Sequence, residues 1–116
     1  MAGDKVPRFT AKGKVIDEYK RGDKRVEARL CSKRFQRLVV GNEFELFNHY
    51  TSVRLRIVRK AYYENYASLV ENEVLSDIFP GVKNEKEFLA RVQEFYPFTL
   101  WDKRFVVFQV VLVVPV

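Results

Sequence analysis

The chain has 116 residues, of which 47% are hydrophobic and 15% aromatic, and it carries a formal net charge of +6. Its length suits a single domain over residues 1–116, and its apolar content is too high for a disordered chain. One cysteine, Cys31, excludes an intrachain disulfide, and with one histidine, His49, the chain lacks a ligand set for zinc. We therefore expect one folded domain without a metal or another cofactor.

Positive charge is concentrated at the start of the chain. Residues 1–37 contain twelve Lys or Arg and five Asp or Glu. Residues 38–116 contain nine Lys or Arg and ten Asp or Glu. A localised basic region is typical of proteins that bind polyanions. Charge alone does not distinguish RNA, DNA and an anionic membrane, or any of them from a well-solvated surface.

The hydropathy pattern predicts neither secretion nor membrane insertion. Residues 1–14 lack the apolar stretch of a secretory signal. The longest apolar run, Phe105–Val114, is about half as long as a membrane-spanning helix, and its Val and Phe content favours a buried strand. We expect an intracellular location, cytoplasmic or nuclear, and no membrane partner.

The first predicted elements are a strand and a helix. Weak alternation over Lys5–Lys12 predicts a strand that ends before Gly13. The apolar residues of Lys14–Lys20 share one helical face, which predicts a short helix with Gly22 as its C-terminal cap.

A half-buried strand is predicted next, over Arg25–Leu30. Its apolar residues alternate with charged ones, so the two kinds of side chain lie on opposite faces. This alternation places Glu27 and Arg29 together on the polar face.

Two further strands are predicted in the middle of the chain. The stretch Val39–Phe47 contains a Gly-Asn turn followed by a strand with Phe44 and Leu46 inward. A longer strand follows over Val53–Tyr63, where apolar residues alternate with arginines.

The rest of the pattern predicts two helices and a last strand. Helical spacing over Tyr66–Phe79 ends at Pro80, and Asn84 begins a second helix, with a capping box, that ends at Pro97. The last strand, Arg104–Val114, is apolar on both faces and is expected in the interior of the sheet. Because the helices do not alternate regularly with the strands, the order favours an α+β mixed barrel over a doubly wound sheet.

Three stretches resemble one known family. Gly22–Arg29 fits the pattern G-x-K-x-x-E-x-R, which is the signature of the ASCH domain family. Val40–Phe44 resembles the strand that follows in the family, and Tyr62–Pro97 is similar to its later stretch of aromatic residues, leucines and prolines. On this resemblance the chain is identified as a small single-domain ASCH member of the PUA-like superfamily.

The resemblance implies a fold and a place for the site. The fold is a PUA-like mixed β-barrel of five to six strands with two to three flanking helices. A cleft between the barrel and the helices would receive the three charged motif residues, Lys24, Glu27 and Arg29.

The resemblance also implies several activities. Members of the family are assigned to RNA binding, to ribonuclease activity, to removal of the acetyl group from N4-acetylcytidine and to transcription coactivation. The deacetylating members have a lysine where this chain has Lys24, a threonine at the position of Glu27 and a glutamate in the helical segment, where Glu71 and Glu73 are the candidates. The threonine nucleophile is therefore missing here.

The chemistry of the motif favours binding over catalysis. A carboxylate beside two cations is expected to stay ionised, so Lys24, Glu27 and Arg29 suit a clamp for a phosphate or a base better than a general base. A hydrolase would instead use Lys24 as base or nucleophile, with Glu71 or Glu73 moving the proton. A protein-interaction module remains as a third hypothesis.

The leading prediction is therefore binding of RNA, single-stranded in preference, or of a nucleotide. Cations of the basic third would contact phosphates, and exposed aromatic rings would stack on bases. The predicted binding residues are Lys12, Lys14, Arg21, Lys24, Arg25, Arg29, Lys33, Arg34, Tyr66, Tyr96 and Trp101. The sequence makes no prediction of the oligomeric state.

Overall fold

The structure is a computed structural model, and it describes residues 6–97 and 101–114. Its strands and helices in chain order are β1 (Arg8–Thr10), α1 (Gly13–Lys20), β2 (Val26–Leu30), α2 (Lys33–Gln36), β3 (Glu43–Phe47), β4 (Ser52–Tyr63), α3 (Tyr66–Asn72), α4 (Leu75–Ile78), α5 (Glu85–Phe95) and β5 (Phe105–Leu112). All five predicted strands are present, although β1 is shorter than predicted. The α+β prediction is confirmed.

The five strands form one mixed sheet in the order β1-β3-β4-β5-β2. The pair β1 and β3 is parallel, and the other three pairs are antiparallel. A register shift between Ile57 and Arg59 interrupts the long strand β4, and such bulges bend a sheet. The sheet curls into a half-barrel.

Two arginines hold the open edges of the half-barrel together. Residues 7, 9 and 11 of the first strand region face β3, so the carbonyls of Arg8 and Thr10 point to the free edge of β1. Arg34 donates to the Arg8 carbonyl at 2.9 Å, and Arg29 of β2 reaches the Thr10 carbonyl at 3.5 Å. Side chains therefore bridge the gap that no backbone ladder closes.

Helices cover both faces of the sheet. Val106 and Phe108 of β5 pack on the side of α1, whereas Phe105 and Val107 pack on the side of α3, α4 and α5. Because β5 is buried on both faces and lies between β4 and β2, its predicted interior position is confirmed. The described residues contain three helices of seven or more residues and two single-turn helices.

The predicted helix over Tyr66–Phe79 is wrong in one respect. The chain is extended at Glu73, so the segment consists of two helices, α3 and α4. Arg59 and Tyr63 of β4 both donate to the Glu73 carboxylate, which draws this residue out of the helix. The single turn α2, with Ser32 as its N-cap, was not predicted either.

Gly22 determines how the chain turns from α1 into β2. Its φ angle is +80°, a left-handed conformation that glycine adopts without steric cost. The backbone N–H of Gly22 donates to the carbonyl of Tyr19, and those of Asp23 and Lys24 donate to the carbonyl of Glu18. The predicted C-terminal glycine is confirmed, and it places Lys24 directly before β2.

We expect Gly22→Ala to lower the free energy of unfolding by about 1 kcal/mol, because an L residue is strained at this φ angle. A Cβ at this position would have no atom within 4 Å, so the cost is conformational alone. Gly22→Asn is the matched variant, and its free energy of unfolding should fall by less because asparagine tolerates the left-handed region. Equal losses in urea unfolding would contradict this account.

Candidate functional site

Two buried charged residues mark the start of β2. Lys24 lies just before the strand and Glu27 lies within it, and their exposed fractions are 5% and 6%. Both line a cavity of about 40 Å³ that also contacts α3, α4 and α5. The walls of this inner cavity are mostly apolar, and its aromatic residues are Tyr66, Phe79, Phe88, Phe95, Tyr96 and Phe105.

The Glu27 carboxylate is held by three groups. The Tyr19 hydroxyl donates to Oε1 at 2.6 Å, Arg29 Nε donates to Oε2 at 2.5 Å, and Lys24 Nζ lies 3.8 Å from Oε1. Burial by itself would raise the pKa of Glu27, but the two cations and the hydroxyl outweigh it and lower that pKa. The predicted polar face of β2 is therefore a buried ion network, and its carboxylate is ionised at neutral pH.

Lys24 is the most enclosed cation of the network. Its Nζ donates to the backbone carbonyl of Ile78 in α4 and lies 5.0 Å from the ring centroid of Phe79. Burial lowers the pKa of Lys24, and the neighbouring carboxylates of Glu27 and Glu18 oppose this shift. The motif lysine therefore links β2 to α4 through a charged hydrogen bond.

A second, larger depression opens beside the inner cavity. This outer basin has a volume of about 340 Å³ and is lined by residues of β1, α1, β2 and α5. Its charged residues are Lys12 and Arg29, and it shares Val15 and Phe95 with the inner cavity. The two spaces are therefore neighbours that share part of their walls.

The electrostatics of the outer basin are positive. Burial would lower the pKa of Arg29, but the Glu27 carboxylate outweighs burial and raises it, so the guanidinium is always charged. The helix α1 begins at the basin, where Lys12 is the N-cap residue and its side chain accepts no capping hydrogen bond. Its first turn contains no acidic residue, so the positive end of the helix dipole is not neutralised there.

The remaining predicted cations are exposed. They are Lys14, Arg21, Arg25, Lys33 and Arg34. Arg21 pairs with Asp23 at 3.0 Å, and Arg34 lies 4.5 Å from the ring centroid of Phe9 while it holds the edge of β1. The structure thus brings Lys12 and Arg29 together in the basin and leaves the others exposed on the surface.

The two predicted helical glutamates lie away from Lys24. Glu71 is exposed on α3. The side chain of Glu73 is only 2% exposed, but Arg59 holds it at 2.7 and 2.9 Å and Tyr63 donates to it. Neither residue is among the described residues that line the inner cavity. The structure therefore does not provide the pairing of Lys24 with Glu71 or Glu73 that the sequence suggested.

The predicted stacking residues occupy different depths. Tyr66 was expected at the rim, but it is a wall residue, 1% exposed, whose hydroxyl has no hydrogen-bond partner among the described residues. Burial, with a smaller effect of Glu85, raises the pKa of Tyr66 to about 12. Trp101 is 57% exposed and packs edge-on against Tyr66 at 5.2 Å, while Tyr96 is half-buried in the cavity wall.

Sequence reasoning missed two residues of the site. Tyr19 was assigned to the apolar face of α1, yet its hydroxyl binds Glu27. Its position one turn before Gly22 could have indicated that it lies beside the motif. Phe95 lies in the second predicted helix, and nothing in the local pattern indicates that it lines two spaces.

Two further findings concern residues 6–97 and 101–114. Over these ranges no group of three or more His, Cys, Asp or Glu residues is arranged to hold a metal ion. Over the same ranges no helix has both the length and the apolar character needed to cross a membrane.

The fold, with the site on its edge strand, can be assigned to a structural type. A mixed five-stranded half-barrel carries α1 on one face and α3 to α5 on the other, and a buried Lys-Glu-Arg network lies on its edge strand β2. This is an α+β fold of the ASCH and PUA-like type.

Three solved structures support this assignment of the fold. The ASCH domain from Lactobacillus crispatus JV V101 has a TM-score of 0.68 and 16% identity, over 92% of this chain and 79% of that one. The hypothetical protein PH0355 has a TM-score of 0.77 and 16% identity, over 94% of this chain and 100% of that one. Protein PF0455 from Pyrococcus furiosus has a TM-score of 0.69 and 17% identity, over 94% of this chain and 98% of that one. No family model and no curated protein matches the sequence. The predicted ASCH-type fold is confirmed as a fold.

We expect Glu27→Gln to lower the free energy of unfolding at pH 7 by about 3 kcal/mol, since it leaves two cations without their buried partner. Because the folded-state pKa of Glu27 is lowered, its ionisation stabilises the protein above the unfolded-state pKa, about 4.3, and this contribution is lost as the pH falls through the folded-state value. The difference in free energy of unfolding between wild type and variant should therefore shrink below pH 4. A gap that is constant with pH would refute this reading, and the exposed Glu64→Gln is the control.

We expect Tyr66→Phe to leave the free energy of unfolding unchanged or to raise it by about 1 kcal/mol, because a buried hydroxyl without a partner costs free energy. Tyr19→Phe is the matched comparison, since its hydroxyl is bonded to Glu27, and it should lose about 1 to 3 kcal/mol. Denaturant unfolding of the three proteins measures the difference. Equal losses in both variants would show that the Tyr66 hydroxyl has a partner.

Proposed function

We propose that the protein binds single-stranded RNA or a nucleotide through the outer basin and the inner cavity. The observation that carries the proposal is the position of Arg29. Its Nε is fixed on the buried Glu27, while its guanidinium lines the outer basin together with Lys12. The basin volume of about 340 Å³ is within the range of pockets for small ligands.

The outer basin has the properties of a phosphate site. Arg29 is preorganised because Glu27 fixes it before a ligand arrives, so little side-chain freedom is lost on binding. Lys12 adds a second cation, and the uncapped start of α1 adds the positive end of a helix dipole. A phosphate oxygen in the basin would meet donors from two elements, β2 and the start of α1.

The surroundings of the basin favour a longer polyanion over an isolated phosphate. Lys14 follows in the first turn of α1. Arg34 donates to the carbonyl of Arg8 in β1, which is two residues from the Thr10 carbonyl that Arg29 reaches. Exposed cations along a groove track a nucleic-acid backbone. Unpaired bases need aromatic partners, and Trp101 is an exposed ring that packs edge-on against Tyr66.

A hydrolase acting on RNA or on a modified nucleoside is the second candidate, because burial lowers the pKa of Lys24. Against it, the lowered pKa of Glu27 makes this carboxylate a weak general base. Glu73 is bound to Arg59 and Tyr63. The geometry supports binding better. Turnover of N4-acetylcytidine or unstructured RNA by the wild type, abolished in Lys24→Met, would reverse this preference.

We expect affinity for short single-stranded RNA to fall steeply with salt, because cations of the protein replace counterions on the phosphates. If Lys12 contacts one phosphate, Lys12→Ala should reduce the slope of log affinity against log salt by about 0.7. Lys86→Ala, an exposed cation at the far end of α5, is the control and should leave the slope unchanged. Fluorescence anisotropy at several salt concentrations measures these slopes.

Two outcomes would contradict the proposed function. The first is the absence of RNA or nucleotide binding at low salt. The second is an equal effect of the Lys12 and Lys86 variants, which would place binding outside the basin. Capture of a protein partner that persists after nuclease treatment would favour the protein-interaction hypothesis instead.

A further inference from the structure

Three exposed valines lie together on the surface, away from the two pockets. They are Val39, Val40 and Val58, which are 51%, 58% and 43% exposed. None of the three lines the inner cavity or the outer basin. We refer to these residues as the valine patch.

Backbone hydrogen bonds place Val58 beside the turn that carries the other two valines. The N–H of Gly41 donates to the carbonyl of Ile57 at 2.9 Å, and the N–H of Ile57 donates to the carbonyl of Asn42 at 2.9 Å. Val58 follows Ile57 directly, at the register shift of β4. The valine patch is therefore formed by a turn and a strand that are bonded to each other.

Cations flank the valine patch. Arg37 is exposed and lies two residues before Val39. Lys60 lies in β4, and its Nζ donates to the carbonyl of Gln36 at 2.7 Å, which holds it beside the end of α2. Lys33 is exposed in the same single turn. Within residues 6–97 and 101–114, none of these three cations forms an ion pair with a carboxylate.

Acidic residues are absent from the two segments that form this surface. Residues 28–42 and 46–63 contain eight Lys or Arg and no Asp or Glu. Two carboxylates from outside these segments reach β4, and both are already paired: Glu43 pairs with two arginines of the strand, and Glu73 pairs with a third. The positive charge beside the valine patch is therefore not neutralised by these carboxylates.

We propose that the valine patch and its cations bind the surface of an anionic lipid bilayer. The valines would enter the boundary between headgroups and acyl chains, and Lys33, Arg37 and Lys60 would contact the anionic headgroups. Binding of this kind is peripheral. The sequence-based expectation of no membrane partner rested on the length of the apolar runs, which bears only on segments that span the membrane.

The combination of valines and cations favours a bilayer over other anionic or apolar partners. Unpaired bases stack on aromatic rings and guanidinium groups, and an aliphatic valine provides neither. A second copy of the chain would bring like charges together, which disfavours self-association. An acidic protein would have to match the shape of the patch, whereas a bilayer needs only apolar area and positive charge.

Flotation with vesicles tests the inference. Wild type should bind vesicles that contain phosphatidylserine, should bind vesicles of phosphatidylcholine alone much more weakly, and should be released by salt. Val40→Ser should weaken binding to the phosphatidylserine vesicles about fivefold, whereas Val74→Ser, which changes a valine that is 61% exposed before α4, should not. Arg37→Gln should weaken it about fivefold, with Lys86→Gln in α5 as the unchanged control.

Several outcomes would overturn the inference. One is the absence of binding to phosphatidylserine vesicles at low salt, and another is equal binding to both kinds of vesicle. Equal losses in Val40→Ser and Val74→Ser would show that the valine patch is not the contact. Binding to polyglutamate but not to vesicles would assign the surface to an acidic protein instead. All four substituted side chains are exposed, so the variants are expected to fold, and circular dichroism checks this.

The inference is independent of the proposed function. It concerns the valine patch, and the RNA measurement concerns Lys12 in the outer basin. Loss of vesicle binding in Val40→Ser with unchanged RNA affinity is the expected result for two separate surfaces. Either proposal can therefore fail while the other stands.

Discussion

The carboxylate of Glu27 is the group on which the site depends. It receives a hydroxyl from α1 through Tyr19 and a guanidinium from its own strand through Arg29, and it lies beside the ammonium of Lys24, which is bonded to α4. An uncompensated carboxylate at this depth would cost several kcal/mol, so the three partners must be in place for the fold to form. One charge thereby fixes the positions of a helix on each side of the sheet relative to β2.

The same network determines the shape of the site because Arg29 has two tasks. Its Nε balances the charge of Glu27, while another nitrogen reaches across the open side of the half-barrel toward β1. The gap between the edge strands β1 and β2 is thus bridged by a side chain and not by a ladder of backbone bonds. A ladder would place backbone atoms where the outer basin lies. The incomplete barrel and the cationic basin are therefore two results of one arrangement.

Local sequence pattern predicted the strands well, because alternation reports which face of a strand is apolar. It was less informative about β2, where the charged residue Glu27 is buried, since period alone does not reveal that Glu27 has a compensating partner on α1 and two neighbouring cations. The break at Glu73 was not predictable for a related reason: the residues that draw it out of the helix, Arg59 and Tyr63, lie on another element. The Gly-x-Lys spacing identified two cavity residues and Arg29, whereas Phe95 and the depth of Tyr66 depend on tertiary packing.

Stability and function place different demands on the wall of the inner cavity. Each oxygen of the Glu27 carboxylate accepts a hydrogen bond, which is expected of a buried group that stabilises the fold. Tyr66 lines the same cavity, and its hydroxyl has no partner among the described residues, which by itself costs free energy. Groups that reduce stability in this way are characteristic of sites where a ligand completes the bonding. The buried Oε1 atom of Glu18 likewise has no partner among the described residues, so Tyr66 and Glu18 are the two positions in residues 6–97 and 101–114 where the requirements of folding and those of binding are expected to diverge.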